Sequence, residues 1–145
     1  MTPDVNVMVA AARDDHVHHL QSLAWLKAAI ADCSFGGTFR LMPMVLASFL
    51  RLVTNPKVFK RPTTTEQAIA YLDALLAVPG VELTSVGVEW PLLRQLCLDK
   101  QLTANALPDA WLAAAVVQHG EHLATFDADF RKLLGRSQVT VLKTA

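Results

Sequence analysis

Three aspartates occupy positions where a carboxylate serves chemistry better than packing. Asp4 lies where a short first strand gives way to a helical segment, Asp109 opens a segment that is otherwise almost entirely apolar, and Asp127 directly follows a short apolar run. Each could simply cap a helix, because aspartate accepts hydrogen bonds from the first backbone N–H groups and favours the positive end of the helix dipole. If the three converge, each pair about 4 Å apart repels by roughly 4 kcal/mol at an effective dielectric constant of about 20. A hard divalent cation relieves that repulsion and prefers oxygen ligands, so the sequence predicts a Mg²⁺ or Mn²⁺ site.

Two acid-free segments concentrate the positive charge, although the net charge of the chain is zero. Residues 33–65 contain five cations, and residues 130–145 contain four. An acidic, cation-binding centre flanked by patches that attract phosphate has this distribution. A metal ion in such a centre generates hydroxide from bound water and stabilises the charge that develops on a phosphoryl group. Solvated loops and helix faces explain the charges equally well, so both interpretations stay open on this count alone.

Alternating strand-like and helix-like segments must position these aspartates. The predicted strands end near Asp4 and span Thr38–Leu41, Val81–Val86, Leu123–Phe126 and Val139–Leu142. The predicted helices begin after Asp4, at Asp15, at Pro43, at a capping box formed by Thr63 and Glu66, at Glu89, at Asp109 and after Asp127. This alternation favours an α/β fold with a mainly parallel central sheet flanked by helices. Ligands bind outside the carboxyl ends of parallel strands, and Asp4 and Asp127 are expected there.

Length and composition indicate one domain over residues 1–145. With 52% hydrophobic and 18% charged positions, the chain is neither disordered nor of low complexity. No apolar stretch approaches the roughly 20 residues of a membrane span, and no apolar leader follows a basic start. Cys33 and Cys97 share no metal or redox spacing, which favours a reducing, cytoplasmic setting.

Five short motifs, taken in their order and spacing, resemble one known family. They are Asp4-Val5-Asn6-Val7, the helix opening Asp15-His16-x-His18-His19, the segment from Phe49 to Pro56 (FLRLVTNP), the segment from Leu107 to Ala114 (LPDAWLAA) and the segment from Leu123 to Phe130 (LATFDADF). Each motif is weak alone. Together they resemble the PIN domains, and specifically the VapC-type toxin ribonucleases of bacterial toxin–antitoxin pairs.

The resemblance implies a three-layer PIN-like fold and a set of site residues. Asp4, Asp109 and Asp127 match the metal-binding, catalytic aspartates, and Asp129 is similar to an additional acid. The resemblance further implies Mg²⁺- or Mn²⁺-dependent cleavage of RNA, inhibition by a VapB-like antitoxin and formation of a homodimer. Two further residues, Asn6 and Thr125, match positions expected to orient the carboxylates.

The chain departs from the family pattern on the helix that Pro43 opens. PIN domains usually place a glutamate where Ser48 stands, and no acid occurs anywhere in residues 33–65. One carboxylate fewer is expected to weaken metal binding. Arg51 lies one helical turn beyond Ser48 and could either pair with a site aspartate or contact phosphate. Pro3 has no N–H to donate to a sheet, which keeps the first strand short and leaves open a start further upstream.

Two alternative functions remain at this point. The first is a catalytically weak or silent PIN domain that acts by binding RNA or an antitoxin, which Ser48 favours. The second is an unrelated acidic-site protein such as a phosphatase or receiver domain, which needs a catalytic motif or a late-strand lysine that the sequence does not clearly offer. The cluster of His16, His18 and His19 is predicted to be solvated rather than to bind metal. Trp111 could line the cleft beside Asp109.

Overall fold

The strands form two small parallel sheets that meet along one edge. The computed structural model describes residues 1–143 and contains strands β1 (Thr2–Pro3), β2 (Phe39–Leu41), β3 (Val81–Leu83), β4 (Leu123–Thr125) and β5 (Val139–Val141). One sheet has the order β1-β4-β5 and the other pairs β2 with β3, with every pair parallel. The Arg40 N–H donates to the Met1 carbonyl oxygen at 3.0 Å and joins the two sheets.

The predicted α/β class is confirmed, but the single central sheet is divided in two. The first strand has only two residues, and one of them is Pro3, which cannot donate to a neighbour. Backbone pairing between β1 and β2 is therefore limited to the hydrogen bond between Arg40 and Met1, and the two sheets stay separate. The last two residues of the predicted 145-residue domain lie outside the described part of the chain.

Six α-helices and two short 3₁₀ turns surround the strands in residues 1–143. The helices are α1 (Val5–Ala12), α2 (His19–Asp32), α3 (Pro43–Val53), α4 (Thr65–Leu76), α5 (Trp90–Lys100) and α6 (Ala106–Gln118), and the 3₁₀ turns span Cys33–Phe35 and Ala128–Lys132. None of these helices has the length and apolar character needed to cross a membrane. The last turn replaces the helix predicted after Asp127.

Two helices begin later than predicted because Arg13 binds the side-chain oxygens that were expected to cap them. The Asp15 carboxylate accepts hydrogen bonds from Arg13 Nε and Nη2, so α2 starts only at His19. Thr63 Oγ1 likewise accepts from Arg13 Nη1, and the capping box of α4 belongs to Thr64 and Gln67 instead. Strand β3 also ends earlier than predicted, at Leu83.

The core fixes α1 between its neighbours. Val7, Met8, Val9, Ala10 and Ala11 are all buried, and α1 packs against α2, α3 and β4. Because the buried apolar area of such a helix dominates its stability, its position cannot shift without cost. The start of α1 is therefore held beside the carboxyl end of β4.

Candidate active site

The register of the β1–β4 pair places Asp4 next to Thr125. Pro3 pairs with Ala124, and the next residues on each strand contact one another. Thr125 Oγ1 donates to Asp4 Oδ2 at 2.7 Å, and the Val5 N–H donates to Asp4 Oδ1 at 2.7 Å. Asp4 is only 7% exposed. Burial raises its pKa above 3.8, the two hydrogen bonds partly oppose that rise, and the charge of Asp127 adds to it.

Thr125 connects the segments that carry Asp4 and Asp127. Besides donating to Asp4, its hydroxyl oxygen accepts hydrogen bonds from the Asp127 N–H at 3.0 Å and from Asn6 Nδ2 at 3.3 Å. Asn6 Oδ1 in turn accepts from the Phe126 N–H at 3.2 Å. Thr125 therefore contacts the Asp4 carboxylate directly, whereas Asn6 contacts Thr125 and the Phe126 backbone rather than a carboxylate, and their role in orienting the site stays a prediction. A buried network in which every member is paired holds its side chains in one arrangement.

Asp109 completes the acidic cluster from the first turn of α6. Burial and, in decreasing order, the negative charges of Asp4, Asp127 and Asp129 together raise its pKa from 3.8 to about 6. Four carboxylates from the two ends of the chain thus influence one another electrostatically. Asp129 also forms an exposed ion pair with Lys132 at 3.3 Å. Within residues 1–143, no lysine or arginine forms an ion pair with any of the other three carboxylates.

The donor set suits a hard divalent cation. Carboxylate oxygens with no cationic side chain between them are what Mg²⁺ and Mn²⁺ prefer. In the described part of the chain, no three His, Cys, Asp or Glu side chains are already positioned to bind one metal ion together. A cation at this position would draw the carboxylates together, because it cancels the repulsion that raises the pKa of Asp109.

The carboxylates of Asp4 and Asp109 border a cleft of about 860 Å³ between α1, α3, α5 and α6. Ser48 lines the same cleft. The remaining wall is mostly apolar and includes Met44, Trp90, Leu93, Leu107, Trp111 and Leu112. The prediction that Trp111 lines the cleft is confirmed. The site is an acidic centre at one end of an apolar groove.

The structure differs from the sequence-based expectations for Arg51 and for the histidines. Arg51 is exposed and has no carboxylate partner within residues 1–143, so the predicted pairing with a site aspartate is not formed. The histidines are not simply solvated as predicted. His18 stacks on Phe126 with ring centroids 4.6 Å apart, and His19 Nδ1 is 2.9 Å from the Ala10 carbonyl oxygen.

Sequence reasoning missed the role of Glu89 at the cleft wall. Glu89 is 2% exposed, accepts a hydrogen bond from Trp111 Nε1 at 2.6 Å and accepts another from the Gly87 N–H at 2.7 Å. Burial alone would raise the pKa of Glu89, but these hydrogen bonds outweigh burial and hold it below 4.5. The only sequence signal was an acid beside Trp90 at a helix start, and it carried no indication of Trp111 as a partner.

A parallel α/β fold with aspartates near the ends of its strands is what the resemblance to PIN domains predicted. The PIN domain family model matches residues 1–134, and the chain belongs to this family. Its relatives include Ribonuclease VapC25 of Mycobacterium tuberculosis, 36% identical over 130 residues and 89% of each chain. Ribonuclease VapC43 of the same organism is 36% identical over 137 residues, which are 92% of this chain and 91% of the relative.

Solved structures show the same fold at lower sequence identity. The crystal structure of VapBC2 from Rickettsia felis bound to a promoter DNA fragment superposes with a TM-score of 0.60 at 18% identity, over 95% of this chain and 94% of the other. FitAcB from Neisseria gonorrhoeae gives a TM-score of 0.52 at 16% identity, over 87% of this chain and 86% of the other. At these identities, the likeness concerns the fold alone.

Proposed function

We propose that this protein is the endoribonuclease toxin of a VapBC-type pair. The observation that carries the proposal is that Asp4 and Asp109 line one cleft, where burial and then the charges of Asp4, Asp127 and Asp129 raise the pKa of Asp109 to about 6. The relatives named ribonucleases over 89% or more of their length support RNA as the substrate.

In the proposed mechanism, Asp4, Asp109, Asp127 and Asp129 hold Mg²⁺ or Mn²⁺. The ion would supply a hydroxide from bound water for attack on a phosphodiester and stabilise the charge on its oxygens. Thr125 keeps the Asp4 carboxylate aimed at the ion, and Asn6 supports Thr125 and the Asp127 segment.

The partner we propose is a VapB-like antitoxin that occupies the groove. Its apolar wall suits apolar side chains of a peptide segment, and the acidic end suits an arginine, which binds carboxylates through paired hydrogen bonds. Exposed apolar side chains elsewhere support a homodimer, since Val17 and Leu20 are 85% and 81% exposed. Sedimentation at micromolar concentration is expected to show a dimer, and a strict monomer would reject that part of the proposal. An RNA substrate and the unpaired Cys33 and Cys97 fit a cytoplasmic setting.

The deciding experiment compares RNA cleavage by two aspartate variants. Purified wild type is expected to cleave RNA with Mn²⁺ or Mg²⁺ and to stop when EDTA is added. Asp109→Asn should abolish cleavage, whereas Asp73→Asn, an exposed aspartate of α4, should leave it unchanged. Full activity of Asp109→Asn would reject the site.

A second candidate, a silent PIN domain, is favoured by Ser48 in the cleft. It predicts RNA or antitoxin binding with no cleavage at any divalent metal concentration. Measuring binding and cleavage on the same RNA separates the two functions, because only the nuclease shows both.

A further inference from the structure

Four cations line a surface that begins near the cleft. Arg51, Lys57, Lys60 and Arg61 are all exposed, and within the described residues none of them forms an ion pair. Three of them belong to the loop of residues 55–63 that joins α3 to α4, here called the basic loop. Uncompensated cations held this close together repel one another, so an anionic partner would stabilise them.

The basic loop is held in one conformation by Arg13. The Arg13 guanidinium lies 4.1 Å from the centre of the Phe59 ring, and its Nη1 donates to Thr63 Oγ1 at 2.9 Å. Asp15 fixes the guanidinium from the other side. The Thr63 N–H also donates to the Val53 carbonyl oxygen at 2.8 Å. Phe59 and Thr63 therefore anchor the loop to the protein, and a ligand that binds its lysines has little ordering entropy to overcome.

Two helices lead from the acidic centre to this loop. Helix α1 begins at Asp4, spans eight residues, and ends just before Arg13, which makes it about 12 Å long at about 1.5 Å per residue. Helix α3 passes Ser48 in the cleft and exposes Arg51 one turn further on, before the basic loop starts. Phosphates along one nucleic-acid strand are at least about 3.4 Å apart, so no more than about four phosphates cross this distance.

We propose that Arg51 and the basic loop bind the sugar–phosphate backbone of single-stranded RNA a few nucleotides away from the cleaved bond. This inference rests on the proposed ribonuclease function and adds an extended substrate site to it. An RNA strand is favoured over an acidic peptide because the cations follow a path that continues from the acidic centre. Lysine and arginine contacts of this kind increase affinity without reading the bases.

The test measures binding of fluorescein-labelled oligo-uridylates of about 20 and about 4 nucleotides in EDTA, where cleavage is off. Lys57→Gln, Lys60→Gln and Arg61→Gln combined should raise the Kd for the longer RNA about tenfold and lower the salt slope of log K by about 2, since each single-strand phosphate contact contributes about 0.7. The shorter RNA should lose much less. Lys60→Gln alone should weaken binding, whereas Lys27→Gln, an exposed lysine of α2, should not.

The outcomes separate the inference from the function on which it rests. If the triple variant is folded and binds the longer RNA with an unchanged Kd and salt slope while wild type cleaves RNA, the extended site is wrong and the ribonuclease stands. Equal losses from Lys27→Gln and Lys60→Gln would also overturn the site, because they indicate a uniform charge effect. Tighter binding of a polyglutamate peptide than of RNA would assign the loop to a protein partner. If wild type binds and cleaves no RNA, both proposals fail.

Discussion

Thr125 is the residue on which the arrangement of the acidic site depends. Its hydroxyl donates to a buried carboxylate and accepts from the backbone of the next catalytic segment, so one oxygen joins Asp4 to Asp127. Thr125→Val keeps the shape and removes these two hydrogen bonds together with the one that Asn6 Nδ2 donates to the hydroxyl. We expect a loss of about 1–3 kcal/mol in the free energy of unfolding. The pKa of Asp4 should rise further, because the Thr125 bond lowers it.

The measurement for Thr125 is urea unfolding together with the pH profile of RNA cleavage. The acidic limb of the profile should move to higher pH in Thr125→Val, since more Asp4 is protonated at a given pH. Thr125→Ser keeps the hydroxyl and should retain the wild-type profile. An unshifted profile in Thr125→Val would show that the hydroxyl does not control the protonation of Asp4.

Ser48 is the other residue whose effect is testable in isolation. It lines the cleft with Asp4 and Asp109, but a neutral hydroxyl neither reaches as far as a glutamate nor cancels an ion's charge. Ser48→Glu should raise Mg²⁺ affinity and the cleavage rate, because charge-assisted contacts are roughly twice as strong as neutral ones. Without metal, a fifth carboxylate should lower stability. Asp129→Ala should reduce activity more in wild type than in Ser48→Glu. Calorimetry that finds unchanged or weaker Mg²⁺ binding in Ser48→Glu would contradict this account.

At the scale of elements, Glu89 connects the start of α5 to α6. Helix α5 has no fully buried residue of its own, and the hydrogen bond from Trp111 Nε1 to Glu89 joins its start to α6. Glu89→Ala should cost about 1–3 kcal/mol, because it leaves a half-buried indole N–H unpaired. With Trp25 and Trp90 replaced by Phe in both proteins, the fluorescence of Trp111 should shift to longer wavelength as the wall loosens. Glu66→Ala, an exposed first-turn acid of α4, is the matched control. An unchanged spectrum in Glu89→Ala would show that packing alone holds the wall.

The same scale shows which elements could be predicted from sequence. Helix α3 begins and ends as predicted, because Pro43 suits a first helical position and Asn55-Pro56 cannot continue a helix. These signals are local. The start of α2 was wrong because Arg13, while bonding Asp15, also reaches Thr63 fifty residues away. The Glu89–Trp111 bond spans 22 residues and has no local signal.

At the scale of the whole molecule, strand topology explains how the segments that carry Asp4 and Asp127 come together, whereas Asp109 lies on helix α6. Parallel strands bring their carboxyl ends to one edge, and the β1–β4 register then sets Asp4 beside Thr125. The division into two sheets was not foreseen, although Pro3 was its cause. The conformation of the basic loop could not be predicted from the sequence either. It depends on the tertiary contact between Arg13 and Phe59, which the spacing of the residues does not indicate.

The acidic site should make the stability of the whole molecule depend on pH and metal. The folded-state pKa values of Asp4 and Asp109 lie above 3.8, and that of Asp109 is about 6. The folded protein therefore binds protons more tightly than the unfolded chain at these groups. The stabilisation is complete at low pH and is lost as the pH rises from about 4 to about 6.

Asp109→Asn should remove the contribution of Asp109 to the pH dependence of stability. It should also raise the metal-free Tm at pH 8 by about 3 °C, the size expected for roughly 1 kcal/mol in a domain of this length. Added Mg²⁺ should raise the wild-type Tm strongly above pH 6 and little near pH 4, because the ion competes with protons for the carboxylates. Calorimetric scans in EDTA and in Mg²⁺ across this range test both effects, with Asp73→Asn as the control. His16, whose pKa burial lowers, titrates in the opposite sense in all three proteins and cancels in the comparison. Equal slopes in wild type and Asp109→Asn would show that Asp109 is not crowded by the other carboxylates, and the acidic centre would then lose its electrostatic basis.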